Sequence, residues 1–291
     1  MRVLVIGGTG FIGRHIISQM VDYGHEVTIF HRGKTAASLM KGVHEVIDPN
    51  SATPISNFPK ELIRLGADAV VHTMAMGLVD AASALRAFGG NAGRLIVLSS
   101  GDVYLAYGRF IGIEPGPVEE GLLSESSPLR TILFPYRTQA ASKEAMQYWY
   151  EKILVEKTVL ASEVLPATVL RLPKVYGPEN NAGLATVYRY RNHPNWRWTH
   201  GYVKNVAAAI VLAATIEVAK RRVYNIGEEY TPTIAERLAW MPASAIEPDL
   251  ECNYNFSQDI AYDTTRIRRE LGYCEIISEN EATLMTLSPG I

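Results

Sequence analysis

Along the first two-thirds of the chain, short continuous apolar runs alternate with longer stretches whose apolar residues recur every three to four positions. The runs at 2–6, 26–30, 45–47, 69–74, 94–100 and 167–172 predict β-strands. Their unbroken apolarity is that of strands covered on both faces, rather than the in-out alternation of a half-exposed sheet. Between the first two, Ile12, Ile16, Ile17 and Met20 fall on one helical stripe, and Gly24 closes that helix. Strand and helix in alternation predict an α/β fold with a doubly wound parallel sheet.

The rhythm breaks over 104–135, where Gly108, Gly112, Pro115, Gly116, Pro117, Gly121, Pro128 and Pro135 predict an irregular excursion. A long loop directly after a strand suits substrate binding or a tolerated surface insertion. Beyond Pro173 the pattern is mixed, with a helix near 203–219, a strand at 222–226 and a helix near 264–271. The expected organisation is a nucleotide-binding domain over 1–173, carrying the 104–135 insertion, and a smaller C-terminal substrate lobe over 174–291. Some segments of that lobe are expected to return to the main core.

Composition narrows the classes. With 47% apolar and 20% charged residues, the 291-residue chain has the balance of a globular protein with a substantial core. A net charge of -2 and a pI near 6.4 supply no basic surface for nucleic acid or an anionic membrane. The two cysteines, Cys252 and Cys274, and the seven histidines show no metal-ligand spacing, so no metal site is expected. The opening "MRVLVIGG" is too short for a signal peptide and no run is long enough to span a bilayer, which predicts a cytoplasmic protein.

The first strand runs straight into "GGTGFIG", residues 7–13. Gly8, Gly10 and Gly13 satisfy Gly-x-Gly-x-x-Gly between a strand and an amphipathic helix, the context that makes this pattern a dinucleotide site. Small residues permit the tight turn, the close approach of backbone to pyrophosphate and the packing of helix on strand. The helix N-terminus then faces the phosphate charge. Gly7, Thr9, Gly10, Phe11, Ile12 and Gly13 are therefore expected cofactor contacts. NAD-selective sites carry an acidic residue at the end of the second strand, whereas this chain reads Phe30-His31-Arg32-Gly33-Lys34. His31 marks the strand end, and Arg32 with Lys34 suits the 2'-phosphate of NADP. NAD is the alternative if both cations are merely solvated. Asp48, after the third strand, suits either the adenine amino group or a turn cap.

Tyr148 and Lys152 in "YWYEK" stand four residues apart, which on a continuous helix is one face. Together with "GGTGFIG", the ordered series "ADAVVHTMA" (67–75), "LSSGDVY" (98–104), "YWYEKILVE" (148–156), "VLRLPKVYGP" (169–178) and "YDTTRIRRELGY" (262–273) resembles the extended short-chain dehydrogenase/reductase family. Those proteins are NAD(P)-dependent epimerases and dehydratases of nucleotide sugars. The resemblance spans almost the whole chain. It implies a Rossmann fold, a substrate lobe, and a catalytic set of Ser100, Tyr148 and Lys152. A competing phenol, Tyr136, occupies the slot of a family "SPY" element, but Ala140 stands where its lysine would be. Thr73, Met74 and Ala75 after the fourth strand, Lys152, and Pro173 after the sixth complete the expected cofactor contacts.

A phenol ordinarily titrates near pH 10, too high for a base at neutral pH. A neighbouring ammonium and a positive nicotinamide ring both favour the phenolate. Tyr148 would then exchange a proton with a substrate hydroxyl while hydride moves to or from the nicotinamide, with Ser100 holding the substrate oxygen. Asp102 matches a carboxylate position of the family's dehydratases, or is a turn cap. The substrate implied is a sugar nucleotide or a similar small molecule. The family's habit implies a homodimer through the Tyr-Lys helix, although core burial explains that helix's apolar residues as well. "FHRGK" and "SSGDVY" also look similar to the RNA-binding branch of atypical short-chain dehydrogenases. An RNA-associated protein or a non-catalytic NADP(H) sensor is therefore the alternative function.

Overall fold

The computed structural model describes residues 1–34, 41–180, 182–250 and 252–287. The strands are β1 (Arg2–Ile6), β2 (Glu26–His31), β3 (His44–Ile47), β4 (Ala69–His72), β5 (Leu95–Ser100), β6 (Ala167–Leu172), β7 (Lys174–Tyr176), β8 (His200–Tyr202) and β9 (Val223–Asn225). The helices are α1 (Phe11–Asp22), α2 (Lys60–Arg64), α3 (Leu78–Phe88), α4 (Leu105–Phe110), α5 (Met146–Trp149) and α6 (Lys152–Leu160), followed by α7 (Ala182–Arg189), α8 (Val203–Thr215), α9 (Ile234–Leu238), α10 (Thr265–Leu271) and α11 (Glu279–Leu287).

Seven strands form one sheet in the order β3-β2-β1-β4-β5-β6-β9. The order reverses beside β1, so the sheet is wound in both directions, as the alternating pattern predicts. Parallel pairing sets Ile6 opposite Phe30 on one side and opposite His72 on the other. The glycine turn and the C-terminal ends of β4 and β5 consequently share one edge. β4 stops at His72 rather than running to Met74. There the Thr73 hydroxyl turns back to donate to the carbonyls of Ile6 at 2.8 Å and Gly7 at 3.3 Å. α8 ends at Thr215 because Ile216 is extended, with ψ of 131°.

The chain folds into two compact units. The first comprises Met1–Ser99, Leu133–Leu170 and Ala207–Tyr224. One face of its sheet presents Leu4, Ile6, Val70, Leu95 and Val97 to Phe88, Val155 and Val159. Each such side chain, when fully buried, contributes about 1.5–3 kcal/mol. Ile16, Ile17 and Met20 of α1 are buried as the helical stripe requires. Val155 and Val159 place much of the apolar face of α6 in this unit's own core.

The second unit comprises Ser100–Ile132, Arg171–Val206 and Asn225–Ile291. It contains most of the 104–135 excursion, which is ordered by α4 and by bonds such as Leu105 N–H to Pro128 O at 2.8 Å. Lys174 pairs with His200 in the small parallel sheet of β7 and β8. Trp196 is packed, with its ring stacked 4.8 Å from that of Phe110 and its indole N–H donating to Gln258 O at 2.8 Å. Among the described residues no helix is long and apolar enough to cross a membrane.

Candidate functional site

A cleft of about 220 Å³ lies in the first unit against the glycine turn. Gly7, Thr9 and Gly10 form one wall, His31, Arg32 and Lys34 follow from the end of β2, and Met74 closes the side toward β4. The glycines have separate reasons for being there. Gly7 sits at φ +83°, a conformation that favours glycine. A Cβ on Gly13 would lie 2.7 Å from the carbonyl oxygens of both Gly7 and Gly8, so this glycine lets helix and strand meet. Gly10 caps α1 in extended backbone that any residue adopts, and a Cβ there would meet only Gly7 O at 3.5 Å. Among the described residues, no other atom would come within 4 Å of that Cβ.

Arg32 Nη1 donates to Thr53 Oγ1 at 2.8 Å, which ties together two residues that line the cleft. Among the described residues, no carboxylate lines the cleft. His31 Nδ1 accepts from Gly33 N–H at 3.1 Å, so in the neutral ring Nε2 carries the proton. That Nε2 lies 3.1 Å from Glu45 Oε2 but off the line of a hydrogen bond. Asp48 is engaged as a turn cap, its Oδ1 accepting from Asn50 N–H at 3.0 Å. Ser51, Thr53 and Ile55 line the cleft instead. No motif singles out these three, because they follow β3 in an irregular loop with no periodicity to read.

Lys152 is 4% exposed, and its ammonium donates to Ala75 O at 2.7 Å and Leu98 O at 2.8 Å. Those carbonyls follow β4 and lie near the end of β5, so the cation sits on the sheet edge that carries the glycine turn. Beside it are two buried titratable groups. Burial, and then the Lys152 charge, lower His72 to about 3. Burial raises Asp80, opposed by N–H bonds from Ile55, Gly77 and Met76 and by Lys152. Asp80 Oδ1 accepts from Ile55 N–H at 2.7 Å, and Oδ2 accepts from Gly77 and Met76 N–H at 3.1 and 3.2 Å. Further along α6, Glu156 Oε1 accepts from Ser99 Oγ at 2.5 Å.

The expected one-turn pairing of Tyr148 with Lys152 is not present. Tyr148 belongs to the four-residue α5, the chain is extended at Tyr150 and Glu151, and Lys152 opens a separate helix. The Tyr148 carbonyl accepts from Arg137 Nε at 2.8 Å, and the Arg137 guanidinium lies 4.8 Å from the Tyr148 ring centre. In the second unit, Ser100 rather than Asp102 caps the short turn over Gly101–Val103, its Oγ accepting from Asp102 N–H at 3.4 Å. Asp102 is 5% exposed and acts electrostatically on Lys174, whose ammonium lies 4.0 Å over the Trp198 ring. Burial lowers Lys174 to about 8, Asp102 opposing and Arg189 reinforcing the shift. Pro173 lies against Gly201, where a Cβ would come 2.7 Å from Pro173 Cγ.

The model of the NAD dependent epimerase/dehydratase family matches residues 3–227. The chain belongs to this family. The UDP-glucose 4-epimerase of Thermotoga maritima, solved with UDP-glucose, superposes with a TM-score of 0.67 at 18% identity, covering 99% of this chain and 98% of the epimerase. The dTDP-glucose 4,6-dehydratase of Bacillus anthracis, solved with NAD, reaches a TM-score of 0.70 at 16% identity over 98% and 95% of the two chains. At these identities the likeness concerns the fold. By sequence, the 2'-dehydrokanamycin reductase of Streptomyces kanamyceticus is 27% identical over 183 residues, 60% of this chain and 43% of the reductase. The chain thus spans less than half the length of the curated relatives it matches.

Proposed function

We propose that this member of the epimerase/dehydratase family is an NADP(H)-dependent oxidoreductase, acting at a hydroxyl or carbonyl carbon of a sugar nucleotide or a related small molecule. The observation that carries this reading is the placement of the Lys152 ammonium. It is fixed on two backbone carbonyls at the sheet edge where the glycine turn opens a cleft. In doubly wound sheets that edge is where ligands bind.

The residues fit the cofactor. Gly7, Thr9, Gly10 and the N-terminus of α1 would hold the pyrophosphate, since Gly10 leaves its backbone open to the cleft. Arg32, oriented by Thr53, would hold a 2'-phosphate together with Lys34. A bound nicotinamide supplies the hydride acceptor or donor. Lys152 contributes fixed positive charge that favours a nearby phenolate or alkoxide. The UDP-glucose bound by the Thermotoga epimerase, the NAD bound by the Bacillus dehydratase and the reductase activity of the Streptomyces relative support hydroxyl/carbonyl chemistry.

Nicotinamide fluorescence titrations test the reading, followed by nicotinamide absorbance assays with UDP- and dTDP-sugars. NADPH is expected to bind more tightly than NADH, and Lys152→Met to abolish turnover. Tighter NADH binding would reverse the cofactor assignment. A protein that binds neither nucleotide would overturn the oxidoreductase reading.

A further inference from the structure

Between α5 and α6 the backbone is extended over two residues, Tyr150 (φ -62°, ψ 121°) and Glu151 (φ -161°, ψ 100°). In a helix, side chains four apart share a face. In an extended segment the side chains that share a side are two apart. The residue brought to the side of Lys152 is therefore Tyr150, and its ring centre lies 5.7 Å from the Lys152 ammonium. The ring of Tyr136 lies behind it, 5.3 Å away and tilted by 55°.

The break is built into the fold. Glu151 is fully buried, and its backbone N–H donates to Met76 O at 2.9 Å. Its carboxylate accepts from Ile153 N–H at 2.9 Å, capping α6, and from Phe134 N–H at 2.5 Å. Phe134 is held at φ +58°, which is costly for a residue with a Cβ. A turn of helix running through Glu151 would forfeit the buried bonds to Met76 and Phe134. Lys152, in turn, is tied to Ala75 and Leu98 and stays where Tyr150 meets it.

We propose that Tyr150, rather than Tyr148, is the catalytic phenol of this protein. The inference rests on the oxidoreductase reading above. A bound nicotinamide would supply the acceptor for the hydride released when the substrate C–H bond breaks, and in that oxidative direction the Tyr150 phenolate would take the hydroxyl proton as the alcohol becomes a carbonyl. In the reverse direction Tyr150 would return that proton to the carbonyl oxygen as hydride is delivered to carbon.

Three conservative variants, Tyr150→Phe, Tyr148→Phe and Tyr136→Phe, separate the candidates. Two readouts are taken on each. The first is phenolate absorbance of the cofactor-free protein as pH is raised, which requires neither substrate nor cofactor. An ammonium beside a phenol favours its ionised form. The first phenol to ionise should therefore vanish in Tyr150→Phe and persist in the other two. The second readout is turnover, expected to fall about a hundred-fold or more in Tyr150→Phe alone, with NADPH affinity kept within about two-fold. If Tyr148→Phe or Tyr136→Phe removes the early phenol, or turnover survives in Tyr150→Phe, Tyr150 is not the catalytic residue and the oxidoreductase reading stands. If the wild type turns over no hydroxyl or carbonyl compound, the catalytic role falls with that reading. An early phenol lost only in Tyr150→Phe would then establish the Tyr150–Lys152 pairing alone.

Discussion

Two alanine substitutions three residues apart in the glycine turn should fail in opposite ways. At Gly13 an alanine Cβ would stand 2.7 Å from Gly7 O, 2.7 Å from Gly8 O and 2.8 Å from Gly8 C, all of them backbone. No side chain can swing aside, so α1 must move off β1 by several tenths of an ångström. Overpacking of this kind costs about 1–3 kcal/mol, offset in part by the gain of up to about 1 kcal/mol for alanine over glycine within a helix. Gly13→Ala should therefore unfold at lower temperature with no cofactor present, by about 2–4 °C for each kcal/mol lost. At Gly10 the backbone is extended and the nearest atom to an added Cβ is 3.5 Å away. Alanine is a poorer N-cap than glycine, but it also lowers the entropy of the unfolded chain by about 0.4–1 kcal/mol. The two effects nearly cancel, and Gly10→Ala should melt within a degree or two of wild type.

Cofactor then separates the pair. NADPH at a hundred times its dissociation constant stabilises a binding-competent protein by about 2.7 kcal/mol. Wild type should show that upward shift in a thermal melt, and Gly10→Ala should show almost none, because its methyl group would occupy the path proposed for the pyrophosphate. Wild-type NADPH binding by Gly10→Ala would refute a pyrophosphate contact at Gly10. A loss of stability in nucleotide-free Gly10→Ala as large as in Gly13→Ala would refute it equally.

Two further outcomes follow from the same unit. His72 is buried, and its folded value of about 3 lies below the ordinary 6.5, so the native state resists the proton that the unfolded chain accepts. Its contribution is fully present above pH 6.5 and is lost as pH falls toward 3, amounting to about 2 kcal/mol by pH 5 at roughly 1.4 kcal/mol per unit. Denaturant midpoints measured from pH 7 to pH 4.5 should fall less steeply for His72→Leu than for wild type, and equal slopes would disprove the assignment. Arg32→Ala should weaken NADPH binding by about 10- to 100-fold, the worth of a charge-assisted bond. NADH binding should change little, and an equal loss for both nucleotides would remove the 2'-phosphate role.

The sheet was legible because its burial is written as unbroken apolar runs; all four residues of β4, for example, are buried. The glycine turn was legible for a related reason. Gly7 and Gly13 answer local demands of φ and close approach, and local demands leave local patterns. Ser51, Thr53 and Ile55 left none, since they reach the cleft from a loop whose course is set by partners elsewhere in the chain, among them Asp80 and Arg32.

"YWYEK" shows most directly why spacing alone misleads. Glutamate and lysine are good helix formers, so a continuous helix through Glu151 is the local expectation. Glu151 instead bonds to Phe134, seventeen residues away, and donates its N–H to Met76 on a different crossover. Leaving a buried carboxylate without those donors would cost more than the few tenths of a kcal/mol that one residue's helix propensity supplies. Tertiary bonding therefore selects the extended conformation, the side-chain period changes locally from nearly four to two, and the phenol beside Lys152 changes with it. A side chain's neighbour is set by the backbone actually adopted between them, and here one buried carboxylate decides that backbone.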